Sequence, residues 1–138
     1  MKPGIAFWIV GILALLFNSY GVYDYIMTVS NTEAHLAAYP PEQVEYWLGM
    51  PAWRTGLWAI GVFSGVIASV LYLAKKSWAV PVFAIGPVVF LLNLVASLFD
   101  GGPSIMGAAY YIASLVILAI ITFFWWFARR QRAAGVLS

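Results

Sequence analysis

The chain has no cysteine, a single histidine (His35), and only five acidic and seven basic side chains in 138 residues. Without cysteine there can be no disulfide, thiolate metal site, iron–sulfur cluster, thiol nucleophile or lipidated cysteine. One histidine excludes multi-histidine metal centres. No Ser-His-Asp set and no glycine-rich phosphate loop can be assembled. The carboxylates, Asp24, Glu33, Glu42, Glu45 and Asp100, are too scattered to nominate an acid/base couple. The expectation is a protein that is not an enzyme and holds neither cofactor nor metal. Charge is the deepest deficit: 9% of residues carry it, against about 25% in ordinary globular domains. Twelve charged side chains cannot cover a soluble surface of this size.

What is abundant is apolar surface. Hydrophobic residues make up 64% of the chain and mean hydropathy is +0.91, so most of the surface is expected to face lipid. Four apolar stretches, residues 4–28, 52–74, 78–99 and 105–127, have the roughly 20 residues that a membrane crossing needs. The first has Lys2 before it, as a secretory signal does. It continues through Asn18 to Tyr25 without a small-residue cleavage site, and so reads as an uncleaved anchor. The architecture implied is all-α: a single integral-membrane four-helix bundle.

Charge placement orients it. Lys2, Lys75, Lys76, Arg129, Arg130 and Arg132 fall on one side, and the other side has Arg54 as its one basic residue. By the positive-inside rule both termini are cytoplasmic, as in a multi-pass protein of the bacterial inner membrane. Trp8, Trp78, Trp125 and Trp126 would mark the inner interface, and Tyr23, Tyr25, Trp47 and Trp53 the outer one. The pI of about 9.0 therefore reflects topology, and no nucleic-acid partner is implied.

The one long connection, residues 29–51, lies outside. Ser30 and Glu33 have capping-box spacing, which predicts a short helix running to about Tyr39. Pro41 and Glu42 open a second piece that ends near Leu48. It is read as a surface-lying cover, with a gate or docking surface as the functional alternative. His35 is expected to be an exposed loop residue.

Inside the spans the polar residues form stripes at helical spacing. Asn18, Trp58, Asn93, Tyr110 and Tyr111 are expected to form one polar layer in the outer half of the membrane. Gly61 and Gly65 have the small-xxx-small spacing of close helix packing. Three readings of the layer stay open: hydrogen bonding across helix seams, a shallow site for a neutral polyhydroxyl solute stacked on Trp58, or a groove for a partner's helix. Asp24 and Arg54, at the tops of adjacent spans, are expected to form a structural ion pair. Gly86-Pro87 is expected to interrupt the third span as a bend or hinge. Asn18 and Asp24 in span one, echoed by Asn93 and Asp100 in span three, suggest a weak internal repeat.

The segments from Phe7 to Val10 and from Asn18 to Tyr25 carry a resemblance. So do Met50-Pro51-Ala52-Trp53, the glycine-rich span after it, and Lys75 to Val82. On these residues the chain resembles a family of small four-span proteobacterial inner-membrane proteins labelled "sugar transporter". The resemblance implies transport and transfers no substrate residues. Two functional classes follow: an oligomeric transporter or channel for a small neutral polar solute, such as a sugar, or a non-catalytic accessory subunit or assembly factor of a larger membrane complex. Besides lipid, the expected partner is a second copy of the chain, with the small-residue stripes as the dimer face, or that larger complex.

Overall fold

The computed structural model describes residues 2–138, which are all-helical. Four long helices, α1 (Ile5–Val29), α4 (Ala52–Leu73), α5 (Ala79–Ser97) and α6 (Gly102–Ala133), are each long and apolar enough to cross a membrane. Two short ones, α2 (Glu33–Leu36) and α3 (Pro41–Leu48), lie in the first long connection. Successive long helices run antiparallel. Both chain ends and the α4–α5 turn therefore share one end of the bundle (the terminal end), and α2, α3 and the α5–α6 turn share the other (the loop end).

The burial pattern is that of a membrane protein. Alanines and small hydroxyls are inside: Ala14, Ala68, Ala79, Ala128, Ser64, Ser69, Ser97 and Ser114 are buried. Large aliphatics such as Leu13, Leu16, Ile67 and Leu115 are exposed. In lipid, helices gain little by burying leucine against each other and more by close backbone approach. The glycines show how close. A Cβ on Gly65 would overlap the Asn18 side chain, one on Gly11 would overlap Tyr72 and Leu73, and one on Gly61 would press on Val89. Gly61 and Gly65 thus pack helices within the chain as expected, whereas Gly56 and Gly107 meet nothing within 4 Å.

Helices adjacent in the array follow the order α1, α4, α5, α6. The terminal end is filled solidly. Phe7 stacks on Tyr72 at 4.4 Å between ring centroids, and the Tyr72 hydroxyl donates to the Phe7 carbonyl at 2.9 Å. Phe83, Phe124 and Ala128 complete this core. After α6, Gly135 takes a left-handed conformation (φ 81°). The chain folds back there, burying Val136 and Leu137 in the same core, and the Ser138 amide donates to the Lys75 carbonyl at 3.0 Å. α1 and α6, at the two edges of this order, meet only sparsely, one contact being Phe17 edge-on to Phe124 at 5.9 Å.

Three local expectations change. Ser30 does not cap α2: its hydroxyl closes α1 by donating to the Ile26 carbonyl at 2.6 Å, and Thr32 is the N-cap residue instead. α2 ends at Leu36, short of Tyr39. Pro87 does not interrupt α5, which runs helically through it. The break lies in α6, where Gly107 leaves helical geometry (φ 80°, ψ 170°), a region that glycine enters without steric penalty.

Candidate functional site

A cavity of about 370 Å³ occupies the loop-end half of the bundle, walled by all four long helices and α3. Its walls are largely apolar, with Phe17, Leu57, Val62, Phe90, Leu94 and Ile117 among them. Phe83 and Phe124 form its floor, where the terminal-end core begins. Polar groups concentrate towards the mouth: Asp24, Tyr46, Arg54 and Asn93 line it there. Asn18 and Ser114 add polar groups to the deeper walls.

Arg54 is the hub of the rim. Its position in the first turn of α4 puts a charge near the end of a span, where the penalty is smaller than at mid-depth. It is nevertheless only 5% exposed, so each donor needs a partner. Nε donates to Asn93 Oδ1 at 3.0 Å, Nη2 to the Asn93 carbonyl at 3.1 Å, and Nη1 to the Tyr46 hydroxyl at 2.9 Å. Nη1 also pairs with the Asp100 carboxylate. Asn93 returns a bond from Nδ2 to the Arg54 carbonyl at 3.1 Å, locking α5 to α4. Tyr46 donates to Asp100 Oδ1 at 2.6 Å, tying α3 to the α5–α6 turn. Burial is the main reason that the Tyr46 phenol is pushed up to about 12; Arg54 pulls it down and Asp100 pushes it up.

The expected Asp24–Arg54 pair does not form. Asn18 lies on Gly65 and Gly21 on Val62, and continuing that register brings Asp24 level with Ala59. That is five residues from Arg54, about 7.5 Å along the axis. Arg54 also turns towards α5. Asp24 instead binds His35, with Oδ1 2.8 Å from Nε2. His35 is therefore not an exposed loop residue: its side chain is 11% exposed, set between the rings of Tyr23 and Tyr39. The Tyr39 phenol is raised above its ordinary value by burial first, then by the Asp24 and Tyr20 charges.

The polar layer also resolves differently. Asn18 and Asn93 are not level: Asn18 faces Gly65 and Asn93 faces Arg54, eleven α4 residues or about 16 Å apart. The cause is that α1 begins farther towards the terminal end than α5, so equal counts from each helix start end at different depths. Asn18 donates to the Ala14 carbonyl at 2.8 Å and reaches Ser69 Oγ at 3.4 Å. It belongs to the α1–α4 seam, whereas Asn93 joins α5 to α4, so the repeat suggested by the two asparagines is not matched in position. Tyr111 turns to α5, its hydroxyl 2.8 Å from Ser97 Oγ. Trp58 and Tyr110 line the cavity, as do Asn18 and Asn93, and Tyr25 meets Trp58 edge-on at 5.0 Å. Sequence reasoning missed Tyr46, Asp100 and His35 as rim residues. Each is a tyrosine, acid or histidine beside a span end, and only tertiary pairing distinguishes them from ordinary loop polars.

No family model, no curated protein and no solved structure matches the chain.

Proposed function

We propose that this multi-pass membrane protein is a small transporter, of the bacterial inner membrane with cytoplasmic termini, whose solute occupies the loop-end cavity. One observation carries the reading: a cavity of about 370 Å³ lies among the four long helices in the loop-end half and reaches down to Phe83 and Phe124, where the terminal-end core begins. A cavity bounded below by a packed core suits a carrier that faces one side of the membrane. The size lies within the roughly 300–1,000 Å³ usual for small-molecule sites. The walls favour a solute with an apolar body and one polar end over a freely hydrated sugar, because most rim donors and acceptors already bond one another.

The absence of native cysteine makes the test direct. Ser114 is buried and lines the cavity, so Ser114→Cys should react with a membrane-impermeant maleimide added at the loop end. Ala128→Cys, in the sealed core, should not. Ile117→Trp, filling the cavity, should block the Ser114→Cys reaction. A carrier that alternates also exposes Ser114→Cys to reagent from the terminal end. Protection of Ser114→Cys from both sides would end the cavity reading.

A further inference from the structure

We propose that the cavity selects a small organic cation, an amine or quaternary ammonium on an apolar body, with its charge held at Asp24 among the rim aromatics. This rests on the solute-cavity reading above and names the substrate class.

Two charged side chains line the cavity, Asp24 and Arg54, and they are differently engaged. Arg54 is committed on all three nitrogens, with Asp100 as its counter-charge. An incoming anion would have to displace Asp100 and leave a carboxylate unpaired. Asp24 has Oδ1 bound to His35, while Oδ2 has no hydrogen-bond partner among the described residues. Its side chain is 33% exposed, and its partner compensates the charge only when protonated. Two carboxylates, Asp24 and Asp100, thus stand at the rim against one guanidinium, Arg54.

The wider field points the same way. All five carboxylates of the chain belong to the loop end (Asp24, Glu33, Glu42, Glu45 and Asp100), against one guanidinium, Arg54. Surface charge of one sign around a low-dielectric cleft concentrates the opposite ion at its mouth. The walls then suit a cation beyond charge alone. Tyr20, Tyr46, Trp47, Trp58, Phe90 and Tyr110 line the cavity, and ring faces attract ammonium groups, most strongly where water is excluded. A neutral polyhydroxyl solute can stack on a ring such as Trp58 but gains nothing from the field.

Three probes with one phenylalkyl skeleton separate the possibilities: 3-phenylpropylammonium, 3-phenylpropanol and 4-phenylbutyrate. Each is titrated calorimetrically into the full chain in lipid nanodiscs, with empty discs as the blank. The ammonium should bind at least tenfold more tightly than the alcohol, and 4-phenylbutyrate most weakly. Asp24→Asn should weaken the ammonium far more than the alcohol and so erase the ammonium's advantage, while Asp24→Glu should retain it. The wild-type comparison decides without any variant: equal binding of ammonium and alcohol, or tighter binding of 4-phenylbutyrate, overturns the cation assignment. If the alcohol still binds and Ile117→Trp abolishes that binding, the cavity stands and only the charge preference has failed. If none of the three binds, the cation assignment falls as well, and the Ser114→Cys labelling then reports separately on the cavity.

Discussion

Replacing Arg54 with methionine isolates the rim hub, since methionine keeps much of the stem and removes every donor. The loss is largest at Asp100 and Asn93. Breaking a buried ion pair by removing one partner costs about 3–5 kcal/mol. Asp100, however, is 36% exposed, so water takes over part of its solvation and the figure must be discounted. Asn93 loses two charge-assisted donors, yet its own amide still reaches the residue 54 carbonyl. A destabilisation of about 2–3 kcal/mol follows, roughly 30- to 150-fold in the folding equilibrium. Equilibrium unfolding in mixed detergent–SDS micelles measures it. The partner assignment is tested by double-mutant cycles: Arg54→Met with Asp100→Asn should show a coupling of about 1–2 kcal/mol, and Arg54→Met with Asp24→Asn less than about 0.5 kcal/mol. A larger coupling to Asp24 than to Asp100 would refute the rim arrangement.

Other expectations follow from the packing. Gly65→Ala places a methyl on the Asn18 side chain and should cost about 1–3 kcal/mol in the same unfolding assay. Gly56→Ala meets nothing within 4 Å and should be neutral or stabilise by up to about 1 kcal/mol. Tyr72→Phe deletes the hydroxyl bonded to Phe7 and should cost about 1 kcal/mol. Tyr46, pushed up to about 12 from 10, holds its proton more tightly docked than free. Its contribution to α3 docking is therefore complete below pH 10 and declines as pH rises towards 12. Trp47 emission followed through an alkaline titration should shift in that window, and Tyr46→Phe should remove the shift.

Much of the fold was legible because lipid imposes a simple rule on length and composition. Four apolar runs of about 20 residues permit little besides four spanning helices. Observed ends fall within two residues of expectation at most boundaries, for example Ala52–Leu73 against 52–74. The exception, α6, starts at Gly102 and ends at Ala133. Pro103 and Ser104 can begin a helix before the apolar run does, and Arg129 to Arg132 can continue one beyond it. Apolarity marks where lipid begins and ends, which is not where helical hydrogen bonding does.

The candidate site was legible in its ingredients and illegible in its pairings, and one physical cause accounts for both. Asn18, Trp58, Asn93 and Tyr110 were marked out because a polar group in lipid must face protein or water. Which partner it meets depends on the axial offset between helices, and that offset is set by glycine contacts rather than by distance from a boundary. Gly65 against Asn18 and Gly61 against Val89 fix α1 and α5 on α4 with a mutual stagger of about two to three turns. That stagger carries Asn93 up to Arg54, leaves Asp24 below it, and drops Asn18 into the seam near the cavity floor. It also has a consequence for the cavity itself. Gly21, Gly61, Gly65 and Gly86 line it, so the contacts that set the stagger also shape its walls. Variants that shift the register at Gly61 or Gly65 should change the reactivity of Ser114→Cys, even though neither position bears a polar side chain.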